Sequence, residues 1–156
     1  MLKKTVLVLG VGNDILTDDG IGPRLVQRLA RECPSDRIQY ETASLGGLDL
    51  VERMTGYRQV VFIDAIKTAG GTPGDIHFLT PQDFKTTLHL SNIHDISFLN
   101  ALELGRQLEL DIPDDIRIVA VEIVEDRAFG ESFTPPVQAR YEEIFRIVRD
   151  RLRELA

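Results

Sequence analysis

Residues 5–22 read TVLVLGVGNDILTDDGIG. The first five residues form an unbroken apolar run, the pattern of a strand covered on both faces in a parallel sheet. The next thirteen are polar and punctuated by glycine. Pro23 then stands where a helix begins without losing a hydrogen bond, since the first-turn N–H groups are unpaired anyway. Leu25, Val26 and Leu29 give that helix an apolar face. A buried strand, a glycine-rich loop and an amphipathic helix form the opening of an α/β fold.

The same alternation recurs along the chain. Residues 38–42 suit a second, partly exposed strand. A short helix at 48–54 follows the Gly46–Gly47 breaker. Residues 59–65 (QVVFIDA) form a second strongly buried strand. Gly70, Gly71, Pro73 and Gly74 mark a turn, and 75–79 reads as an edge strand. Apolar residues at Ile96, Leu99 and Leu102 predict a helix over 95–108. A further strand is expected at 116–121. From Pro136, the stripe Val137, Tyr141, Ile144, Phe145, Val148 and Leu152 predicts a last helix with one core-facing side. Strands alternating with helices predict an α/β fold: one domain over 1–156, a three-layer sandwich with a mostly parallel twisted sheet between helices. The 5–9 and 59–65 strands are expected side by side and parallel, their carboxyl ends opening on one cleft.

Composition narrows the function classes. The 156 residues carry a formal charge of −7, which disfavours a nucleic-acid backbone as partner. No apolar run approaches the ~18 residues of a membrane span, and the N-terminal run is too short for a secretion signal. Cys33 is the single cysteine, so no internal disulfide forms, and it reads as structural. A cytoplasmic protein is expected. The sign-alternating charges of 140–154 read as a solvated helix face.

The loop at 10–22 invites a dinucleotide reading, but Ile15 stands where the fingerprint needs its third glycine, and Asp18 and Asp19 would repel a diphosphate. No Gly-Lys-Ser/Thr phosphate loop is present. Asp18 fits a capping or loop-structuring role. Asp19 gains interest from Asp64, which ends the second buried run, because a carboxylate there is costly unless paired or ligated. The histidines are His77, His89 and His94. His77 reads as a sheet residue. His89 lies in a loop between Leu88 and Leu90, whereas His94 immediately precedes a helical pattern, and Asp95 beside it is a candidate cap. Two carboxylates and an imidazole form an open O,O,N set for nickel, zinc, manganese or iron.

The loop GVGNDILTDDGIG resembles the first motif of the hydrogenase maturation proteases: glycine, any residue, glycine, asparagine, then an acidic pair before glycine. Ile63-Asp64-Ala65 is similar to their second motif, a hydrophobic strand ending in Asp-Ala. Residues 91–102 (SNIHDISFLNAL) are similar to a third, which opens a helix, and 133–137 (FTPPV) to a fourth. The resemblance runs in order through nearly the whole chain. It departs at 42–47 (TASLGG), where the family often carries an aspartate and a threonine, and at 121–126, which lacks a proline.

The resemblance implies an endopeptidase that removes the C-terminal extension of a nickel-loaded [NiFe] hydrogenase large-subunit precursor. By motif it implies Asp19, Asp64 and His94 as the nickel-reading ligands, with Asp19 and Asp64 also catalytic. Nickel would be carried by the substrate, although other divalent metals fit the same donors. Two alternatives stay open: another metal-dependent hydrolase on the same fold, and a non-catalytic nickel-binding maturation chaperone.

Overall fold

The computed structural model describes residues 5–44, 47–83, 87–90 and 97–155. The elements run β1 (Val6–Val11), a 3-10 turn (Thr17–Gly20), α1 (Ile21–Glu32), β2 (Ile38–Ala43), α2 (Gly47–Met54), β3 (Gln59–Ile66), β4 (Ile76–Leu79), α3 (Phe98–Gln107), β5 (Asp115–Glu122) and α4 (Pro135–Leu155). The five strands form one sheet in the order β2-β1-β3-β5-β4. All neighbours are parallel except β4, which pairs antiparallel to β5 at the edge. The expected architecture is present, and β1 and β3 are adjacent and parallel, with Val6 opposite Gln59 and Gly10 opposite Ile63.

The layers follow from strand alternation, because successive side chains point to opposite faces. Val6, Val8, Val61 and Ile63 join one core with Leu25, Val26 and Leu29 of α1 and Val137, Ile144, Phe145, Val148 and Leu152 of α4. Leu7, Leu9, Val60 and Phe62 join the opposite core with Leu50 and Met54 of α2 and Phe98 and Leu102 of α3. Phe62 meets Phe98 edge to face, with ring centroids 4.9 Å apart. On the first face α1 sits so close to the sheet that a Cβ on Gly22 would collide with the carbonyl oxygen of Ile63. Glycine is required there by space.

The third helix begins later than expected. It starts at Phe98, and its N-cap is Ser97, whose hydroxyl accepts from the Asn100 N–H at 3.3 Å. The predicted cap at Asp95, and Ile96 with it, lie outside the described residues. Among the described residues no helix is long and apolar enough to cross a membrane.

Candidate active site at the carboxyl ends of β1 and β3

Chain order places β2 on one side of β1 and β3 on the other, so the connections leaving the carboxyl ends of β1 and β3 run to opposite sides of the sheet. Crevices of this kind, beyond the carboxyl ends of strands, hold ligands in open α/β sheets. Asp64 lies near the end of β3 on the Phe62 face and is fully buried. Its Oδ1 accepts from the Ala65 N–H at 2.8 Å and its Oδ2 from the His89 N–H at 3.0 Å. Asp19 comes from the 3-10 turn after β1 and is 3% exposed. Its Oδ2 accepts from the Asn13 N–H at 2.9 Å. Gly12 makes that approach possible: its φ is +146°, and a Cβ there would overlap the Asp19 carbonyl oxygen.

The two carboxylates are joined by an imidazole. His89 Nδ1 lies 2.7 Å from Asp64 Oδ1, and its Nε2 lies 3.3 Å from Asp19 Oδ1. Burial alone would push the ring toward neutrality. Hydrogen bonding to Asp19 and Asp64, and their negative charge, outweigh it and hold the pKa at about 10. At neutral pH His89 is therefore an imidazolium between two carboxylates, and it is the most exposed of the three, its side chain 24% accessible. The segment carrying it is pinned across the end of β3. Thr87 bridges Ile66, and the Leu88 N–H donates to the Ala65 carbonyl at 3.0 Å.

The structure thus brings Asp19 and Asp64 together, as their positions at strand ends predict. It adds His89, which spacing alone does not distinguish from His94. His94 lies outside the described residues. The signal for His89 is the flanking pair: Leu90 is fully buried among the α2 and α3 side chains, while Leu88 packs on the opposite core. A histidine between two anchored leucines is held in place even in a loop.

Asp18 is wholly structural, and its reach is longer than that of a helix cap. The buried carboxylate accepts from the Val124 and Glu125 N–H groups at 3.0 and 3.1 Å. It also takes the Thr134 N–H at 2.8 Å and the Thr134 hydroxyl at 2.7 Å. The acidic pair and the threonine-proline segment, 116 residues apart, are one hydrogen-bonded junction. Thr17 before it has φ +57°, an uncommon conformation for a threonine. Its N–H donates to the Gly130 carbonyl and its hydroxyl to the Ala128 carbonyl.

Two further features frame the site. Glu122, which nothing in the sequence singles out, is 2% exposed at the end of β5. It accepts from the Thr68 N–H and hydroxyl and lies 3.4 Å from His77 Nε2, fixing the turn after β3. His77 is accordingly a sheet residue with a structural partner. Beside Asn13, a polar cleft of about 310 Å³ is lined by Gly12, Asp14, Gln27, Ser44 and Arg53. Cys33 is a free thiol that packs partly buried beside the α1 and α4 core.

A family model described as hydrogenase maturation protease matches residues 23–151. The chain belongs to the hydrogenase maturation protease family. Its relatives include the hydrogenase 2 maturation protease of Escherichia coli K12, 30% identical over 96% of this chain and 91% of that protein. Another is the hydrogenase expression/formation protein HupD of Thiocapsa roseopersicina, 30% identical over 86% of this chain, which spans 62% of that relative's length. Among solved structures, the hydrogenase maturating endopeptidase HybD from E. coli superposes with a TM-score of 0.75 at 27% identity, covering 97% of this chain and 93% of the other. The matched span takes in the second, third and fourth of the motifs.

Among the described residues no three histidine, cysteine, aspartate or glutamate side chains form a preset metal cage. The geometry explains this: both nitrogens of His89 face carboxylate oxygens rather than a shared point. The donors suit a divalent cation chemically, being oxygen and imidazole nitrogen, but they are engaged with one another.

Proposed function

We propose that this chain is the endopeptidase that removes the C-terminal extension of a nickel-loaded [NiFe] hydrogenase large-subunit precursor. The observation carrying this reading is the pair of buried carboxylates, Asp19 and Asp64, joined through one imidazole at the β1–β3 crevice of a maturation-protease fold. The metal arrives as part of the substrate. Asp19, Asp64 and the motif-derived His94 read it, and this positions the adjoining peptide bond, which is catalysis by orientation. One aspartate then takes a proton from the attacking water. The water oxygen bonds to the scissile carbonyl carbon, the C–N bond breaks, and the proton passes to the leaving amine. With its lone cysteine free, the chain suits the reducing cytoplasm.

A second reading of the third donor has its own support, the 2.7 Å contact of His89 with Asp64. Here His89 is itself the ligand, after one of its nitrogens leaves its carboxylate. Single variants decide. Asp19→Asn and Asp64→Asn are expected to abolish cleavage while the chain still folds, its melting lowered only by the lost pairing with the His89 imidazolium. Asparagine is the better probe, since alanine would strand the donors that these carboxylates satisfy. If His94 is the ligand, His94→Ala loses cleavage and His89→Ala keeps most of it; the reverse assigns the role to His89. Near-wild-type cleavage by either aspartate variant would end the proposal.

A further inference from the structure

The rim of the site carries apolar side chains that the chemistry does not use. Ile15 is 46% exposed, Val124 43% and Phe129 84%. They lie on two loops that are hydrogen-bonded to each other. The Gly130 N–H donates to the Ile15 carbonyl at 2.9 Å, Thr17 N–H to the Gly130 carbonyl at 3.0 Å, and Asp18 N–H to the Glu125 carbonyl at 3.0 Å. This frame is the one that holds Asp18, the neighbour of Asp19. Glu125, Asp126, Arg127 and Glu131 surround the apolar residues in sequence. Apolar side chains inside a charged border are the anatomy of a protein-recognition surface, and exposed aromatics in such a setting are typical anchors.

The occupant follows from placement. A second copy of the chain is a poor candidate, because three side chains fall well short of the ~800 Å² per partner of a stable interface, whereas the substrate adds the contact of its cut segment in the crevice. Dimer contact there would also close the crevice. The extension itself must enter the crevice to reach Asp19 and Asp64, and a side chain as exposed as Phe129 forms no wall of a groove. It fits a concave apolar pocket on a folded protein. We propose that Ile15, Val124 and Phe129 dock the folded body of the substrate protein, Phe129 entering an apolar pocket next to the segment that is cut. This rests on the reading of the substrate as a hydrogenase large-subunit precursor.

The test uses the full chain with Phe129→Ser, Ile15→Ser and, as control, Leu108→Ser, whose side chain is 62% exposed beyond α3 on the loop leading into β5. Dissociation constants for the nickel-loaded precursor are measured separately from KM and kcat. Phe129→Ser is expected to raise Kd and KM roughly ten- to hundredfold, the range for an aromatic anchor, with kcat and melting unchanged. Ile15→Ser has a smaller effect and Leu108→Ser none. A synthetic peptide spanning the cleavage junction should bind wild type and Phe129→Ser alike. Unchanged precursor Kd overturns the proposal, as does an equal loss for the peptide, or a wild-type dimer that Phe129→Ser dissociates. A wild-type chain that binds precursor without cutting it refutes the endopeptidase reading while Kd still decides the docking. A chain that binds no precursor refutes the docking.

Discussion

Replacing His89 by glutamine removes the titrating group between Asp19 and Asp64 while keeping a polar side chain of similar reach. The folded-state pKa of about 10 compares with 6.5 for an unperturbed histidine. At about 1.36 kcal/mol per pH unit this corresponds to at most ~5 kcal/mol. Solvent reaches about a quarter of the side chain, and screening brings the expected figure to roughly 2–4 kcal/mol. Because the pKa is raised on folding, the folded state binds the extra proton. The stabilisation is fully present below pH 6.5 and is lost as pH rises to about 10. Urea unfolding of metal-free wild type and His89→Gln from pH 6 to 10.5 measures it. The stability difference between them should shrink by roughly 2–4 kcal/mol across that window, other titrations being common to both proteins. Parallel curves would refute the bridging imidazolium.

Three other outcomes are expected. Asp18→Ala strands four donors in a buried junction and should cost about 3–5 kcal/mol in urea unfolding, with Asp18→Asn recovering part of it. Gly22→Ala places a methyl group against the Ile63 carbonyl and should destabilise by about 1–3 kcal/mol or more, seen as a lowered Tm; a neutral result would mean that α1 is packed more loosely on β3. Elemental analysis of purified protein should find well under one metal per chain after chelation, because Asp19 and Asp64 are engaged with His89 and an O,O,N set lacks the full ligand count of a structural site; a retained stoichiometric metal would favour a resident-metal protease.

Much of the fold was legible because its central strands, β1 and β3, are buried on both faces. Runs such as 59–65 have no polar interruption until Asp64, and that interruption marked the site. Asp19 was legible only in combination, since an aspartate before a helix has an ordinary explanation. His89 was legible only through its flanking leucines, Leu88 and Leu90. Its place depends on the 87–90 segment crossing the end of β3, a tertiary contact with no periodicity behind it. The sequence pattern at Asp18 fits a capping or loop-structuring role, and the carboxylate does structure loops, but the partners it holds come from the far end of the chain. Such distant pairing leaves no trace in neighbouring residues. Glu122 was hidden for the same reason: its partner Thr68 belongs to another connection.

The Asp18 junction also sets the order in which the protein becomes competent as it is made. The carboxylate emerges from the ribosome early, but Val124, Glu125 and Thr134 follow more than a hundred residues later. At roughly 5–20 residues per second of synthesis, the loop bearing Asp19 waits many seconds for the strand end and helix that fix it. A nascent chain that already carries β1, α1 and β3 still lacks the partners of Asp18, so an assembled site arrives only with the completed fold.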